Sequence, residues 1–308
     1  MSIVMKGAEV AGALRESIAA GVEELAGQGV TPCLAIVRVG ARADDLSYER
    51  GAVKRMAGVG IRCSVTELAE DISQEEFLER FQAVNDDPAV HGVLLFRPLP
   101  RSLDEQSVRL LVNPVKDVDG MSPVNSAKVF AGDSSAFAPC TPEAVMEVLA
   151  HYGVDLTGKR ATIVGRSMVV GRPLAMLMLQ KSATVTICHT RTRDLPGTCR
   201  GAEILVAAAG RARMVTADFV APGTTVIDVG INVDENGGVC GDVDYDAVAP
   251  LAAAITPVPG GIGAVTSSVL AGHVLRAARA LHGMVASSSS ETLPSSLPVG
   301  RGSSRFCQ

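Results

Sequence analysis

The nine residues Gly165-Arg166-Ser167-Met168-Val169-Val170-Gly171-Arg172-Pro173 follow an apolar run at 161–164 and carry the ingredients of a phosphate site. A glycine directly after a parallel strand lets the backbone approach a phosphate. A helix starting near Gly171 would offer its N–H groups and its dipole to a pyrophosphate. The spacing is not GxGxxG, so the same residues also suit a plain strand-to-helix turn with glycines for packing. The next strand ends in Cys188-His189-Thr190-Arg191-Thr192, with no acid before Asp194. NAD sites usually place a carboxylate there for the ribose hydroxyls. Arg191, with Thr190 and Arg166, can instead hold a 2′-phosphate through charge-assisted hydrogen bonds. NADP is therefore predicted over NAD, the alternative being that Arg191 is a solvated loop charge. His189 reads as a strand-end residue. Loops at 208–210, 228–232 (with Ile231) and 257–263 also follow strands, and are the expected floor of a nicotinamide site.

Three polar clusters mark the first half. Tyr48 lies in Asp44-Asp45-Leu46-Ser47-Tyr48-Glu49-Arg50, Arg97-Pro98-Leu99-Pro100 closes a strand, and Lys116-Asp117-Val118-Asp119-Gly120 falls between the halves. Singly they also read as a capped helix, a rigid turn and a solvated acidic loop.

The elements that position these residues alternate along the chain. Helices are predicted at 8–26, 46–57 and from Ser73, whose Ser-Gln-Glu-Glu sequence is a capping box. Strands are predicted at 33–39, 61–68 and 91–96. Periodicity weakens over 113–139, the expected crossover between domains. Thr141-Pro142-Glu143 then reads as an N-cap, a proline at N1 and an acid in the first turn. Strands follow at 161–164, 184–188, 204–208, 225–229 and 253–256, and a long amphipathic helix at 265–281. The fold class is thus α/β in two domains, the second Rossmann-like with a parallel sheet. The expected units are 1–122 plus 265–286 and 139–264, with 287–308, rich in Ser, Pro and Gly, a disordered tail.

The chain has 308 residues, 47% hydrophobic and 20% charged, enough for two cores. No apolar run approaches the ~20 residues that span a bilayer. Residues 1–10 lack the pattern of a signal peptide, so the expected location is the cytoplasm, with no membrane partner. A net charge of −5 gives no reason to expect nucleic acid, which selects for a basic face. Seven scattered cysteines without a CxxC pair, and five histidines without ligand spacing, predict neither disulfides nor a metal site.

Taken together, Lys116-Asp117-Val118-Asp119-Gly120, Pro139-Cys140-Thr141-Pro142, Gly165-Arg166-Ser167 with Val170-Gly171-Arg172-Pro173, Asp228-Val229-Gly230-Ile231-Asn232 and Thr256-Pro257-Val258-Pro259-Gly260-Gly261 make the chain resemble one family. This is the bifunctional methylenetetrahydrofolate dehydrogenase/methenyltetrahydrofolate cyclohydrolase family, and the resemblance runs over about 7–281. It implies NADP as cofactor, tetrahydrofolate derivatives as substrates and a homodimer. It further implies hydride transfer from the methylene unit, then hydrolysis of the methenyl cation to formyltetrahydrofolate. On this reading the first unit binds folate. Tyr48 stacks along its aminobenzoyl portion, and Asp119 accepts hydrogen bonds from the pterin. Gly165, Arg166, Ser167, Thr190, Arg191 and Ile231 are the cofactor candidates.

Two positions depart from the family pattern. It places a lysine four residues after the tyrosine, where this chain has Ala52. It places a glutamine where this chain has Phe96, followed by Arg97. The nearest lysine is Lys54, about 120° away around an ideal helix. Two expectations stay open: Lys54 is catalytic and hydrolysis persists, or the chain is a dehydrogenase with hydrolysis weakened.

Overall fold

The computed structural model describes residues 2–235 and 237–283. The expected tail at 287–308, and the end of the first expected unit at 284–286, lie outside them.

The chain starts with a two-residue strand β1 (Ile3–Val4) and a helix α1 (Gly7–Gly27), whose buried stripe includes Val10, Ile18, Val22 and Leu25. Strand β2 (Cys33–Val39) is buried at every position, as a central parallel strand must be. Helix α2 (Ala43–Ala57), edge strand β3 (Arg62–Leu68), helix α3 (Gln74–Asp86) and strand β4 (Gly92–Leu95) complete a three-stranded parallel sheet of order β3-β2-β4. Ser73 caps α3 by accepting from Glu76 N–H, as its capping box predicts.

The crossover is more ordered than its weak periodicity suggests. It holds the helices α4 (Glu105–Leu111) and α5 (Pro123–Ala131), the latter capped by the Ser122 hydroxyl with a proline in its first turn. Helix α6 (Cys140–His151) begins one residue before Thr141, so that threonine is not its N-cap.

The second series runs through β5 (Arg160–Val164), α7 (Gly171–Gln180), β6 (Thr184–Cys188), α8 (Leu195–Arg200), β7 (Ile204–Ala207) and β8 (Thr225–Asp228). A short hairpin of β9 (Asn232–Val233) and β10 (Val239–Cys240), then α9 (Tyr245–Val248), β11 (Ala254–Ile255) and α10 (Thr266–Leu281), close the chain. The main sheet has the order β1-β11-β8-β7-β5-β6, every neighbouring pair parallel. Its first strand comes from the chain's start, since Ile3 pairs with Ala254. Helix α10 packs against α1 and α6, and also touches α2, β2 and β4. It therefore links the three-stranded sheet to helices α1 and α6.

Candidate active site

A cavity of about 720 Å³ lies between the two halves. The first half supplies Tyr48 on α2, Phe96 and Arg97 after β4, and Asp119 in the crossover. Cys140 starts α6, while Thr266 and Leu270 come from α10. Phe96 and Arg97 follow directly on β4, Cys140 and Thr266 open their helices, and Tyr48 and Leu270 project from within theirs.

Asp119 is placed by its neighbours. Asp117, 1% exposed, accepts from the N–H groups of Met121 and Ser122 and from Asn125 Nδ2, at 2.8–2.9 Å. The Lys116 ammonium donates to the carbonyls of Asn85 and Asp87, both at 2.7 Å. So the Lys-Asp-Val-Asp-Gly cluster is mostly buried scaffolding, and of its charged side chains only Asp119 lines the cavity. Gly120 has φ of +63°, and a Cβ there would collide with the Phe137 carbonyl and the Pro139 nitrogen. Behind it, His273 Nδ1 lies 2.7 Å from the Val118 carbonyl oxygen, the geometry of an N–H donor on a carbonyl acceptor. This contact ties the crossover to α10.

Electrostatics in the cavity centre on Arg97. Its guanidinium lies 3.2 Å from Asp119 Oδ2 and 3.4 Å from Glu105 Oε1. Burial pushes the Asp119 carboxyl above its usual range, and the Arg97 charge partly offsets this. Burial likewise pushes the Tyr48 hydroxyl up, with the Asp119 charge adding to it. The Tyr48 ring meets Phe96 edge-on, centroids 5.4 Å apart. Cys140, whose thiol burial also holds well above the thiol range, is no candidate nucleophile.

The structure separates Lys54 from this centre. Ala52 is 1% exposed and packs in the core with Phe96 and Met56, whereas Lys54 is exposed and does not line the cavity. The regular helix α2 is the reason: six residues from Tyr48 is a different face. Among the described residues no lysine lines the cavity.

A second cavity, of about 440 Å³, lies at the carboxyl ends of β5, β6 and β7. Gly165, Arg166, Ser167 and Thr190 line it, together with Arg211 and Thr192, two residues that motif reading missed. Arg191 does not line it; its N–H donates to His189 Nδ1 at 3.1 Å, and its side chain is exposed. Gly165 has φ of +139°, and a Cβ on it would run into the Ala208 carbonyl. A Cβ on Gly171 would in turn run into the Gly165 carbonyl. These contacts bring the ends of β5 and β7 and the start of α7 within backbone distance. No side chain caps α7, which leaves its N-terminus open to an anion. No ion pair is formed by Arg166 or Arg211 among the described residues, although the chain is acidic overall. A glycine cradle, an uncapped helix start and two unpaired guanidinium groups suit a phosphorylated dinucleotide. A third cavity, of about 330 Å³, adjoins the loops after β8 and β11 and includes Ile231, which is 71% exposed.

Comparison with known proteins agrees with both halves. Residues 5–119 match the family model described as tetrahydrofolate dehydrogenase/cyclohydrolase, catalytic domain. Residues 139–282 match the NAD(P)-binding domain of the same family. Bifunctional protein FolD of Clostridioides difficile is 55% identical over 276 residues, covering 90% of this chain and 96% of that protein. Its counterpart in Alkaliphilus oremlandii is 51% identical, covering 92% and 99%. The crystal structure of the bifunctional FolD methylenetetrahydrofolate dehydrogenase/cyclohydrolase of Campylobacter jejuni superposes with a TM-score of 0.89. It is 36% identical, over 91% of this chain and 99% of that one. The Trypanosoma brucei enzyme, solved with NADP and an inhibitor, gives 0.84 at 33% identity, over 91% and 98%. By sequence and by structure, this chain belongs to the tetrahydrofolate dehydrogenase/cyclohydrolase family.

Proposed function

We propose that this protein oxidises methylenetetrahydrofolate to methenyltetrahydrofolate with NADP, and hydrolyses the product to formyltetrahydrofolate. The observation that carries the reading is that one short segment serves two cavities: Val169 lines the one with Tyr48 and Asp119, and Gly165, Arg166 and Ser167 line the other at the strand ends. In an open parallel sheet, ligands sit beyond the carboxyl ends of the strands.

Gly165, Ser167 and the start of α7 would hold the pyrophosphate, and Arg166 with Thr190 and Arg191 the 2′-phosphate. Ile231 would lie against the nicotinamide. When bound, that ring supplies the hydride acceptor. The chain's own residues then have positioning work. The Tyr48 ring offers a flat face to the aminobenzoyl portion of the folate. The Asp119 carboxylate accepts from the pterin amino and ring N–H groups, fixing which face of the one-carbon unit is turned to the cofactor. Asp119 and Glu105 also surround the developing methenyl cation with negative charge, offset by Arg97.

Among the described residues no lysine lines the cavity, which favours a second reading, a dehydrogenase with weak hydrolysis. Hydrolysis needs a group that takes a proton from the attacking water. A guanidinium offers donors and no acceptor, and burial raises the Tyr48 hydroxyl. Assaying NADP reduction beside methenyltetrahydrofolate hydrolysis separates the two.

We further infer two units, folate-binding at 1–122 with 265–286 and dinucleotide-binding at 139–264, and a homodimer in the cytoplasm. No helix among the described residues is long and apolar enough to cross a membrane. The open edge strand β3, with Val65 43% exposed, supports self-association. A monomeric mass in solution would contradict the dimer.

A further inference from the structure

Asp242 lies just after β10, fully buried at 0% exposure. Its carboxylate is the acceptor of four hydrogen bonds. Oδ2 accepts from the N–H groups of Ala209 at 2.6 Å and Gly210 at 2.9 Å. Oδ1 accepts from Arg211 N–H at 2.8 Å and from Asn232 Nδ2 at 2.9 Å. The first three donors are consecutive residues of the loop after β7, and Ala209 and Arg211 both line the cavity that holds Arg166. The fourth belongs to Asn232, the first residue of β9, which directly follows the 228–231 loop that borders the third cavity. One side chain therefore ties together two loops that lie at opposite ends of the proposed dinucleotide site.

The loops have no slack around this carboxylate. A Cβ on Gly230 would strike the Asp242 side chain. The backbone of Asp242 is held separately, since its carbonyl accepts from Val215 N–H at 2.9 Å and its N–H donates to Asp228 Oδ1 at 3.0 Å. The side chain can thus be altered while the local fold keeps its own anchors.

We propose that Asp242 is a positioning residue for the dinucleotide: its carboxylate sets the separation of the 209–211 and 230–232 loops and presents Arg211 to the adenosine phosphate. The inference rests on the dinucleotide reading given above. Asparagine at 242 is the informative substitution. It has one oxygen and one NH₂, and in either orientation two of the four donors face a donor rather than an acceptor.

The test is calorimetric titration of the full chain, with NADP and separately with tetrahydrofolate, for the unaltered protein, Asp242→Asn, Asn232→Ala and the double variant. We expect Asp242→Asn to weaken NADP binding at least about tenfold, with tetrahydrofolate binding changed less than about twofold. Asn232→Ala, which removes one donor, should weaken NADP binding about threefold. In the double variant it should add less than about twofold, because its partner oxygen is already disturbed. NADP affinity within about twofold of normal in Asp242→Asn, or equal losses for both ligands, overturns the proposal. If that variant does not fold, Asn232→Ala decides: weakened NADP binding supports the proposal and unchanged binding overturns it. Failure of the unaltered protein to bind NADP would instead overturn the dinucleotide reading, and this inference with it.

Discussion

Arg97 Nη2 stands 3.2 Å from Asp119 Oδ2, so the carboxylate assigned to the pterin is ion-paired across the cavity. Both side chains are about three-quarters covered, at 24% and 27% exposure. Arg97 thereby does two things to Asp119: it competes with the ligand's N–H donors, and it favours the ionised form.

The first prediction concerns pH. Burial raises the Asp119 carboxyl, and Arg97 is the principal group that lowers it. Folate binding needs the ionised form, so activity falls as pH drops through the Asp119 pKa. Removing the guanidinium in Arg97→Leu raises that pKa further and moves the acid limb of the kcat/KM profile to higher pH. An unmoved or downward-shifted limb would contradict this. Asp119→Ala should lower kcat/KM by roughly ten- to a hundred-fold, the worth of about 1.5–3 kcal/mol for hydrogen bonds to a charged group.

The hydrolytic step gives the second prediction. Lys54 faces solvent, so Lys54→Met should leave hydride transfer and hydrolysis unchanged. Ala52→Lys with Phe96→Gln should raise hydrolysis, because residue 52 lies one helical turn after Tyr48 on α2, and both Tyr48 and Phe96 line the cavity. The same change buries polar groups and gives up the Tyr48–Phe96 ring contact, and should cost about 2–4 kcal/mol of stability. Loss of hydrolysis in Lys54→Met would assign the proton transfer to that lysine.

Cofactor choice gives the third. Arg166→Gln should raise the KM for NADP by roughly ten- to a hundred-fold, with a smaller effect for NAD. Arg191→Asp should move the preference in the same direction. Arg166 lines the cavity and Arg191 does not, so Arg166→Gln should have the larger effect. Equal use of NAD and NADP by the unaltered protein would sink this assignment.

Gly165 gives the fourth. Alanine there would put a Cβ against the Ala208 carbonyl at a φ of +139°. Gly165→Ala should lower the melting temperature by several degrees and abolish NADP binding. Normal binding would show that the β5–β7 approach is looser than these contacts require.

The parts of the site visible in the sequence are those in which chemistry and position are local. Gly165 through Pro173 is one strand–turn–helix, and the regular periodicity of α2 already put Ala52 and Lys54 on different faces. Arg211 and Asp242 were not legible. Arg211 enters the cavity only because β7 lies beside β5, and Asp242 meets Ala209 across 33 residues of sequence. Lys116 and Asp117 look like site residues in the motif. Their carbonyl and N–H partners, such as Asn85 and Met121, appear only in the folded chain. Strand β1 is two residues long and pairs with residues some 250 positions away, beyond any local pattern.

The most direct test of the account is a paired assay on the purified protein: NADP reduction with methylenetetrahydrofolate, and decay of added methenyltetrahydrofolate. The account expects NADPH and methenyltetrahydrofolate to form in equal amounts, faster with NADP than with NAD, and hydrolysis to be the slower activity. No NADP reduction at saturating methylenetetrahydrofolate would contradict it.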